Sequence, residues 1–283
     1  VALLLALCYG MGSVAGGLPV YLLPALSSWS LTQVQGSLVS SAFFGGNLAG
    51  LVVWGSVCDR LGRLFGLRCG LLLLVVATAA TFLSRSIAEL LAARALTGFS
   101  AGAYMMASFV LLAEVTAPGH RMLAKAVQEC GFAVGLLWLA LVAFTVQAAG
   151  APWHALSCAF LPALPALAAS FALRESPRYL LAKGDAAGAI DELRRISATA
   201  GSRLPADATL ALPTTAVGRP ASELWHRRLR WKVVQVGVAW LGSNTLYYAQ
   251  LLAPLGLAGR GFYLQGLGAL LEVPAYYVMY ELG

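Results

Sequence analysis

Charge is scarce in this 283-residue chain: 12 acidic and 19 basic residues make up 11% of it, against 59% hydrophobic residues. A water-soluble domain carries about 25% charged residues, so the composition excludes a soluble globular enzyme and a disordered chain alike. Histidine is as sparse. His120, His154 and His226 lie far apart, and Cys8, Cys58, Cys69, Cys130 and Cys158 include no Cys-x-x-Cys pair, so the spacing a metal centre needs is missing. The same five cysteines fall in or beside apolar runs, which leaves no extracellular disulfide framework to draw. Neither Asn47 nor Asn244 begins an Asn-x-Ser/Thr acceptor. Nothing basic precedes the apolar run that opens at Val1, so it reads as a first membrane span rather than a signal peptide, in a chain whose own start is missing.

What is abundant is uninterrupted apolar sequence. A helix needs about 20 such residues to cross a bilayer, and eight stretches qualify as spans: Val1–Leu26, Leu31–Cys58, Leu67–Ser84, Leu90–Ala113, Cys130–Gln147, Ala155–Leu173, Val233–Ala253 and Gly261–Tyr280. Only Arg68, Arg94 and Glu272 intrude, at the mouth of the third, inside the fourth and inside the eighth. The runs are uniformly apolar rather than alternating with period two, which excludes a barrel. The expected class is an all-α membrane protein, divided into an N-terminal six-span unit (1–173), a cytoplasmic loop (174–232) and two further spans (233–283).

The remaining charge is unevenly placed. The stretch Arg174–Lys232 holds 11 basic and six acidic residues. With alternating spans, it shares one side with Arg60, Arg63, Arg68, Arg121 and Lys125, leaving Arg85 and Arg260 opposite. The positive-inside rule makes the crowded side cytoplasmic, and both ends of the chain with it. The net charge of +7 therefore reflects topology and contact with anionic membrane lipid, and no nucleic-acid partner is expected.

Two enzyme-like patterns are set aside. Gly98-Phe99-Ser100-Ala101-Gly102 fits the nucleophile-elbow spacing, but that serine works from a strand-to-helix turn, and here it lies in an apolar helix. Gly10-Met11-Gly12 with Gly16 lacks the strand and the carboxylate of a dinucleotide loop. No catalytic residue, metal or cofactor is expected. The glycines Gly46/Gly50, Gly98/Gly102 and Gly131/Gly135 have G-x-x-x-G spacing, which places small residues on one helix face for close packing in lipid. Those faces serve either a static bundle or helices that slide during alternating access; spacing does not separate the two.

The charged motifs are more specific. Gly55-Ser56-Val57-Cys58-Asp59-Arg60-Leu61-Gly62-Arg63, in the short loop after span two, resembles the G-x-x-x-D-R-x-G-R signature of the major facilitator superfamily. Arg94-Ala95-Leu96-Thr97-Gly98, then Glu114 through Arg121, then Glu175-Ser176-Pro177-Arg178-Tyr179-Leu180-Leu181 follow in order, with Tyr247-Tyr248 and Glu272-Val273-Pro274-Ala275 in spans seven and eight. Together they resemble the organic cation and organic anion transporter family, solute carrier family 22. That resemblance implies a helix bundle of twelve spans, so a chain truncated after the eighth is expected. It also implies that Asp59, Arg60, Arg63, Arg94, Glu114, Arg121, Glu175 and Arg178 form a gating charge network rather than a substrate site. The departures are Leu64 where a further basic residue is usual, Trp153-His154 for a Trp-Arg pair, Tyr276 where some anion carriers have Lys, and no long loop after span one.

The implied function is transport of small organic ions by alternating access, from a multi-pass position in the plasma membrane. Aromatic walls with a few polar tips suit such ions through apolar contact and cation–π attraction. The candidates are Tyr104, Phe132, Trp138, Asn244, Tyr247, Tyr248, Gln265, Glu272 and Tyr276. Glu272 tilts selectivity toward cations or zwitterions; alternatively it pairs with Arg94 as a structural group. A non-transporting, receptor-like or truncated regulatory member is the rival reading, and a sugar porter a third. In the loop, Ile190, Leu193 and Ile196 predict a short amphipathic helix, and Trp225–Lys232 an interfacial anchor. The oligomeric state is open.

Overall fold

The computed structural model describes residues 1–199, 201, 205, 210, 226, 229–252, 268–272, 274–276 and 278. The regular structure of the described residues is all helical, and six helical stretches are long and apolar enough to cross a membrane: Ala2–Ala25, Gln33–Leu61, Arg63–Leu83, Ile87–Val115, Pro118–Ala148 and Trp153–Ser170. They correspond to the first six expected spans. The seventh is a helix, α10 (Arg230–Leu252), but is not among those six. Most of the eighth, Gly261–Tyr280, lies outside the described residues.

Proline decides where the first span bends. It comprises α1 (Ala2–Gly17) and α2 (Pro19–Ala25). Pro19 has no N–H to give the carbonyl four residues back, which frees the oxygen of Ala15. The second and third spans, α3 (Gln33–Leu61) and α4 (Arg63–Leu83), correct the expectation of a connecting loop. The signature from Gly55 onward is the last turns of α3, and Gly62 alone separates the helices with φ +109°, a conformation open to glycine and strained for other residues. Thr32 and Gln35 start α3 with a reciprocal capping box, Gln35 N–H donating to Thr32 Oγ1 (3.2 Å) and Thr32 N–H to Gln35 Oε1 (3.0 Å).

Helix α5 (Ile87–Val115) begins three residues before its apolar run. Its Ser86 cap accepts the Glu89 N–H (3.3 Å), so the charge occupies the first turn, where the helix dipole favours it. Helix α6 (Arg121–Ala148) likewise starts nine residues before Cys130, which puts Gln128 and Glu129 two turns inside rather than at its mouth. The sixth span is not continuous. A 3₁₀ segment, Trp153–Phe160, is followed by α7 (Ala163–Ser170), because Pro152, Pro162 and Pro165 deny the ladder its donors. Beyond it come α8 (Pro177–Ala182) and α9 (Ala186–Thr199), the latter the expected amphipathic helix. Ala189 and Glu192 of α9 are buried; Glu192 takes a bidentate hydrogen bond from Arg195, which holds that guanidinium's pKa above its ordinary value.

Helix α5 is the hub, packed by α3, α4 and α1, while α1 also lies along α6. Glycine makes the two tightest seams. A Cβ at Gly98 would collide with the Phe43 carbonyl of α3, and one at Gly46 with the Ala95 carbonyl of α5. Across the other seam, Gly131 and Gly135 of α6 face Ala6 and Gly10 of α1 in the same way. All three G-x-x-x-G pairs therefore lie at backbone-to-backbone contacts.

Candidate functional site

Two polar constellations stand on this scaffold, one within the bundle and one at its Arg63 end. The inner one is built around Glu272. Its Oε1 accepts the hydroxyl of Tyr247 (3.1 Å) and its Oε2 that of Tyr276 (3.2 Å). Tyr247 lies on α10, so two hydroxyls from different parts of the chain hold the carboxylate. Aromatic rings continue outward from it. Tyr247 meets Phe132 of α6 (5.9 Å between centroids) and Tyr248 (5.4 Å), Phe132 meets Tyr9 of α1 (5.8 Å), and Tyr248 meets Phe44 of α3 (4.7 Å). The site is thus negative in its centre and aromatic on its walls, which suits a desolvated organic cation.

Sequence reasoning named five members of this cluster: Phe132, Tyr247, Tyr248, Glu272 and Tyr276. It missed Tyr9 and Phe44, although the midspan-aromatic criterion fits Tyr9. The other candidates are elsewhere. Trp138 donates its indole N–H to the Ala159 carbonyl (2.9 Å) and lines a separate apolar cavity of about 650 Å³ between α1 and α6 with Leu7, Met11 and Pro162. Asn244 turns back to its own helix, donating to the Trp240 carbonyl (2.8 Å). Tyr104 is fully buried, and Gln265 lies outside the described residues.

Arg94 stands apart from both constellations. Its side chain is 0% exposed, Nη2 donates to the proline-freed carbonyl of Ala15 (2.8 Å), and the guanidinium stacks over the Phe43 ring (5.0 Å). No ion pair joins it to Glu272 or to any acid among the described residues.

The second constellation gathers where α3, α4, α5 and α8 end or begin. Arg63 reaches Asp59 Oδ1 (3.2 Å) and Glu114 Oε1 (3.4 Å), and donates to the Cys58 carbonyl (3.0 Å). Glu175 takes a different part: its Oε2 accepts the Leu64 N–H (3.0 Å), so it caps the first turn of α4 with a full negative charge. The space beside Gly62 that a side chain would need is filled by that carboxylate. Tyr179, quoted in the motif but not singled out, donates its hydroxyl to the Arg60 carbonyl (3.0 Å) and lies under the Arg63 guanidinium (5.3 Å). Burial and the neighbouring Glu175 push its phenol pKa up, which keeps it a neutral donor. The side chain of Arg178 is exposed and ends at no acid among the described residues; its backbone N–H serves Ser176 Oγ (3.2 Å). Arg121 forms no ion pair there either. Arg68 was passed over as a mouth residue, yet it donates to the Ser170 (3.0 Å) and Leu173 (3.3 Å) carbonyls and so ties the end of α7 to α4.

A charge cluster between the second and third spans, on a bundle whose interior holds an aromatic carboxylate site, is the arrangement of a carrier. The model of the sugar (and other) transporter family matches residues 13–251. The chain belongs to that family. It is therefore a multi-pass integral membrane protein of a transporter family within the major facilitator superfamily, not an enzyme. Among relatives of this transporter-family chain, solute carrier family 22 member 15-like of Xenopus laevis is 30% identical over 258 residues, covering 89% of this chain and 52% of that protein. A β-alanine transporter of Drosophila melanogaster is 26% identical over 279 residues, covering 92% and 46%. The likeness to solute carrier family 22 is thus borne out. In fold, the chain is similar to the E. coli xylose transporter XylE in a partially occluded inward-open conformation, with a TM-score of 0.61, 19% identity and coverage of 69% and 53%. The chain spans about half the length of the curated relatives it matches.

Proposed function

We propose that the chain belongs to a plasma-membrane carrier that moves small organic ions by alternating access, with the Glu272 site as the place where a positively charged group rests. The supporting observation is the carboxylate itself, held by two tyrosine hydroxyls and ringed by Tyr9, Phe132, Tyr247 and Tyr248. At about 4 Å, attraction between unit charges is about 1 kcal/mol in water and about 4 kcal/mol at the effective dielectric of a protein boundary, so one fixed carboxylate can set the sign of the substrate. A relative named for β-alanine, an amine-bearing substrate, agrees with this.

In the same reading, residues 1–173 form one six-helix half, 174–232 the cytoplasmic loop and 233–283 the start of a second half. The Arg63 end faces the cytoplasm and both chain ends lie there. Arg63 with Asp59 and Glu114 forms the latch at that end, its pairs breaking when it opens, while Glu175 and the Arg60 carbonyl hold the adjoining helix ends and Arg121 and Arg178 stand outside it. Uptake of a radiolabelled quaternary ammonium ion and an aromatic carboxylate, with and without Glu272→Gln, tests the assignment. The cation should be preferred and its uptake should fall about tenfold or more on substitution. Preference for the anion, unaffected by the substitution, refutes it. Absence of uptake of either, with the protein at the cell surface, favours a non-transporting member of the family.

A further inference from the structure

The charges of α9 carry a second pattern besides its amphipathic face. Its last turns read Leu193-Arg194-Arg195-Ile196-Ser197-Ala198, and nowhere else in the chain do two adjacent arginines stand three and two residues before a hydroxyl side chain. That spacing is what the acidic substrate groove of a basophilic serine kinase selects, because each guanidinium offers a carboxylate two parallel N–H donors. Arg194 and Arg195 are both exposed. Arg194 rests on Asp191 (3.6 Å), whose side chain is 73% exposed, a surface pair worth so little that another carboxylate can replace it. Ser176 is the contrast: Arg174 precedes it, yet it is fully buried as the cap of α8.

Ser197 also lies where a helix opens most readily. Its hydroxyl donates to the Arg194 carbonyl (2.9 Å), in the last turn of a helix that ends at Thr199. Just beyond, Gly201 has φ +75° and turns its N–H back to the Ala198 carbonyl (3.3 Å). The carbonyls of a terminal turn have no helical donor ahead of them, and such turns fray at almost no free-energy cost. The serine can therefore reach the extended form that a kinase grips.

We propose that Ser197 is a phosphorylation site for a basophilic serine kinase, and that its phosphate releases the end of α9 from Glu192. The inference is independent of the Glu272 site and rests on the cytoplasmic placement of residues 174–232. In the transfer, Ser197 Oγ bonds to the γ-phosphorus of ATP as the bond from that phosphorus to the oxygen of the departing ADP breaks, and the hydroxyl proton passes to the kinase's carboxylate base. The product adds a charge of about −1.5 to −2 at pH 7 to the last turn, the negative end of the helix dipole, which disfavours it. It draws Arg194, three residues back on the same side, off Asp191 and frays the turn that Arg195 begins. Arg195 is the bidentate partner of Glu192 (3.0 and 2.6 Å), a carboxylate on a residue only 4% exposed, whose next cation, Arg174, is 4.0 Å away. Without Arg195 that buried charge is poorly paired, and α9 loosens from α8, against which it packs. Helix α8 carries Tyr179, the donor to the Arg60 carbonyl, so the modification acts on the Arg63 end rather than on the substrate site.

The test uses the full chain in detergent micelles, the catalytic subunit of a cyclic-AMP-dependent kinase, ATP, and mass spectrometry of the phosphopeptides. Ser197 should be the main acceptor, and Ser197→Ala should abolish its labelling. Arg194→Gln, at an exposed position, should slow transfer about tenfold or more, the loss of one bidentate pair. Glutamyl endopeptidase should then cut after Glu192 several-fold faster in the phosphorylated chain, with no change in kinase-treated Ser197→Ala. Phosphate elsewhere, or a rate indifferent to Arg194→Gln, overturns the site; unchanged cleavage after Glu192 overturns the release of α9. In sealed vesicles the same kinase should label Ser197 only in those turned inside out. Labelling of right-side-out vesicles alone overturns the cytoplasmic placement, and with it the use of the site by a cytosolic kinase, whatever Glu272-dependent uptake shows.

Discussion

Gly45 and Gly46 are neighbours on α3, and in the sequence only the spacing of Gly46 to Gly50 distinguishes them. In the structure they are opposites. A methyl added at Gly45 meets nothing within 4 Å, whereas one at Gly46 collides with the Ala95 carbonyl oxygen and lies 2.8 Å from the carbonyl carbon and 3.0 Å from Cα of the same residue. Ordinary contact needs 3.4–4 Å, so α3 must draw back from α5 by about 1 Å or more, a gap that forfeits about half of each dispersion contact. Contacts are worth about 0.1–0.2 kcal/mol each, so a seam of some tens loses about 1–2 kcal/mol. The Asn47-to-Gly98 hydrogen bond across it (3.4 Å) adds about 0.6 kcal/mol. Against this, alanine gains about 0.5–1 kcal/mol over glycine in a helix, and at Gly45 that gain is all there is. Gly45→Ala should therefore be neutral to slightly stabilising and Gly46→Ala destabilising by about 1–2 kcal/mol, a spread of about 2 kcal/mol or roughly thirtyfold in the unfolding equilibrium. Reversible unfolding in mixed detergent micelles, followed by far-ultraviolet circular dichroism, measures it. Equal shifts for the two variants, or a more stable Gly46→Ala, would refute the backbone-contact account.

Two further outcomes concern the Arg63 end. Glu175→Gln removes the charged cap of α4 and should cost about 1–2 kcal/mol, seen as altered turnover with substrate KM nearly unchanged, while Arg178→Ala, on an exposed and unpaired side chain, should stay within about 0.5 kcal/mol of the parent; the reverse ranking would return the gating role to Arg178. Single cysteines placed at Arg85 and Lys183 should be labelled from opposite sides of the membrane by an impermeant maleimide, and labelling of both from outside would overturn the proposed topology.

Much of the scaffold was legible because lipid makes sequence rules strict. Six spans follow from apolar runs, and the G-x-x-x-G pairs lie at helix seams because only small residues allow backbones to touch. Helix ends were less legible. Charged residues such as Glu89 and Arg121 lie inside helices that uniform hydropathy would stop short of, since caps and dipoles accept them there. The break in the sixth span was visible in Pro152, Pro162 and Pro165, but hydropathy counts proline as one more uncharged residue. At the sites, residue type pointed to chemistry but not to partner. Glu175 looked like one half of an ion pair and is a helix cap, and Arg178 beside it looked equivalent and meets no acid among the described residues. Arg94 was grouped with the terminal charges because it shares their motif series. Which carbonyl it would find depended on a proline 75 positions earlier, in another helix.

The two kinds of contact divide the labour of the bundle. The glycine seams of α3 with α5 and of α1 with α6 are backbone against backbone, with no side chains to rearrange, so a small displacement gives up close contact along their length. Such seams favour motion as a unit. The charged contacts are few, lie at helix ends and involve groups that water can take over at modest cost, such as the largely exposed Asp59. A conformational change therefore breaks the Arg63 end before it opens a glycine seam. Between static packing and sliding faces, the backbone collisions at Gly46 and Gly98 favour packing. Glu272 and its tyrosines are tied to α6 and α1 through Phe132 and Tyr9, so in the proposed carrier a substrate resting there would act directly on those two helices.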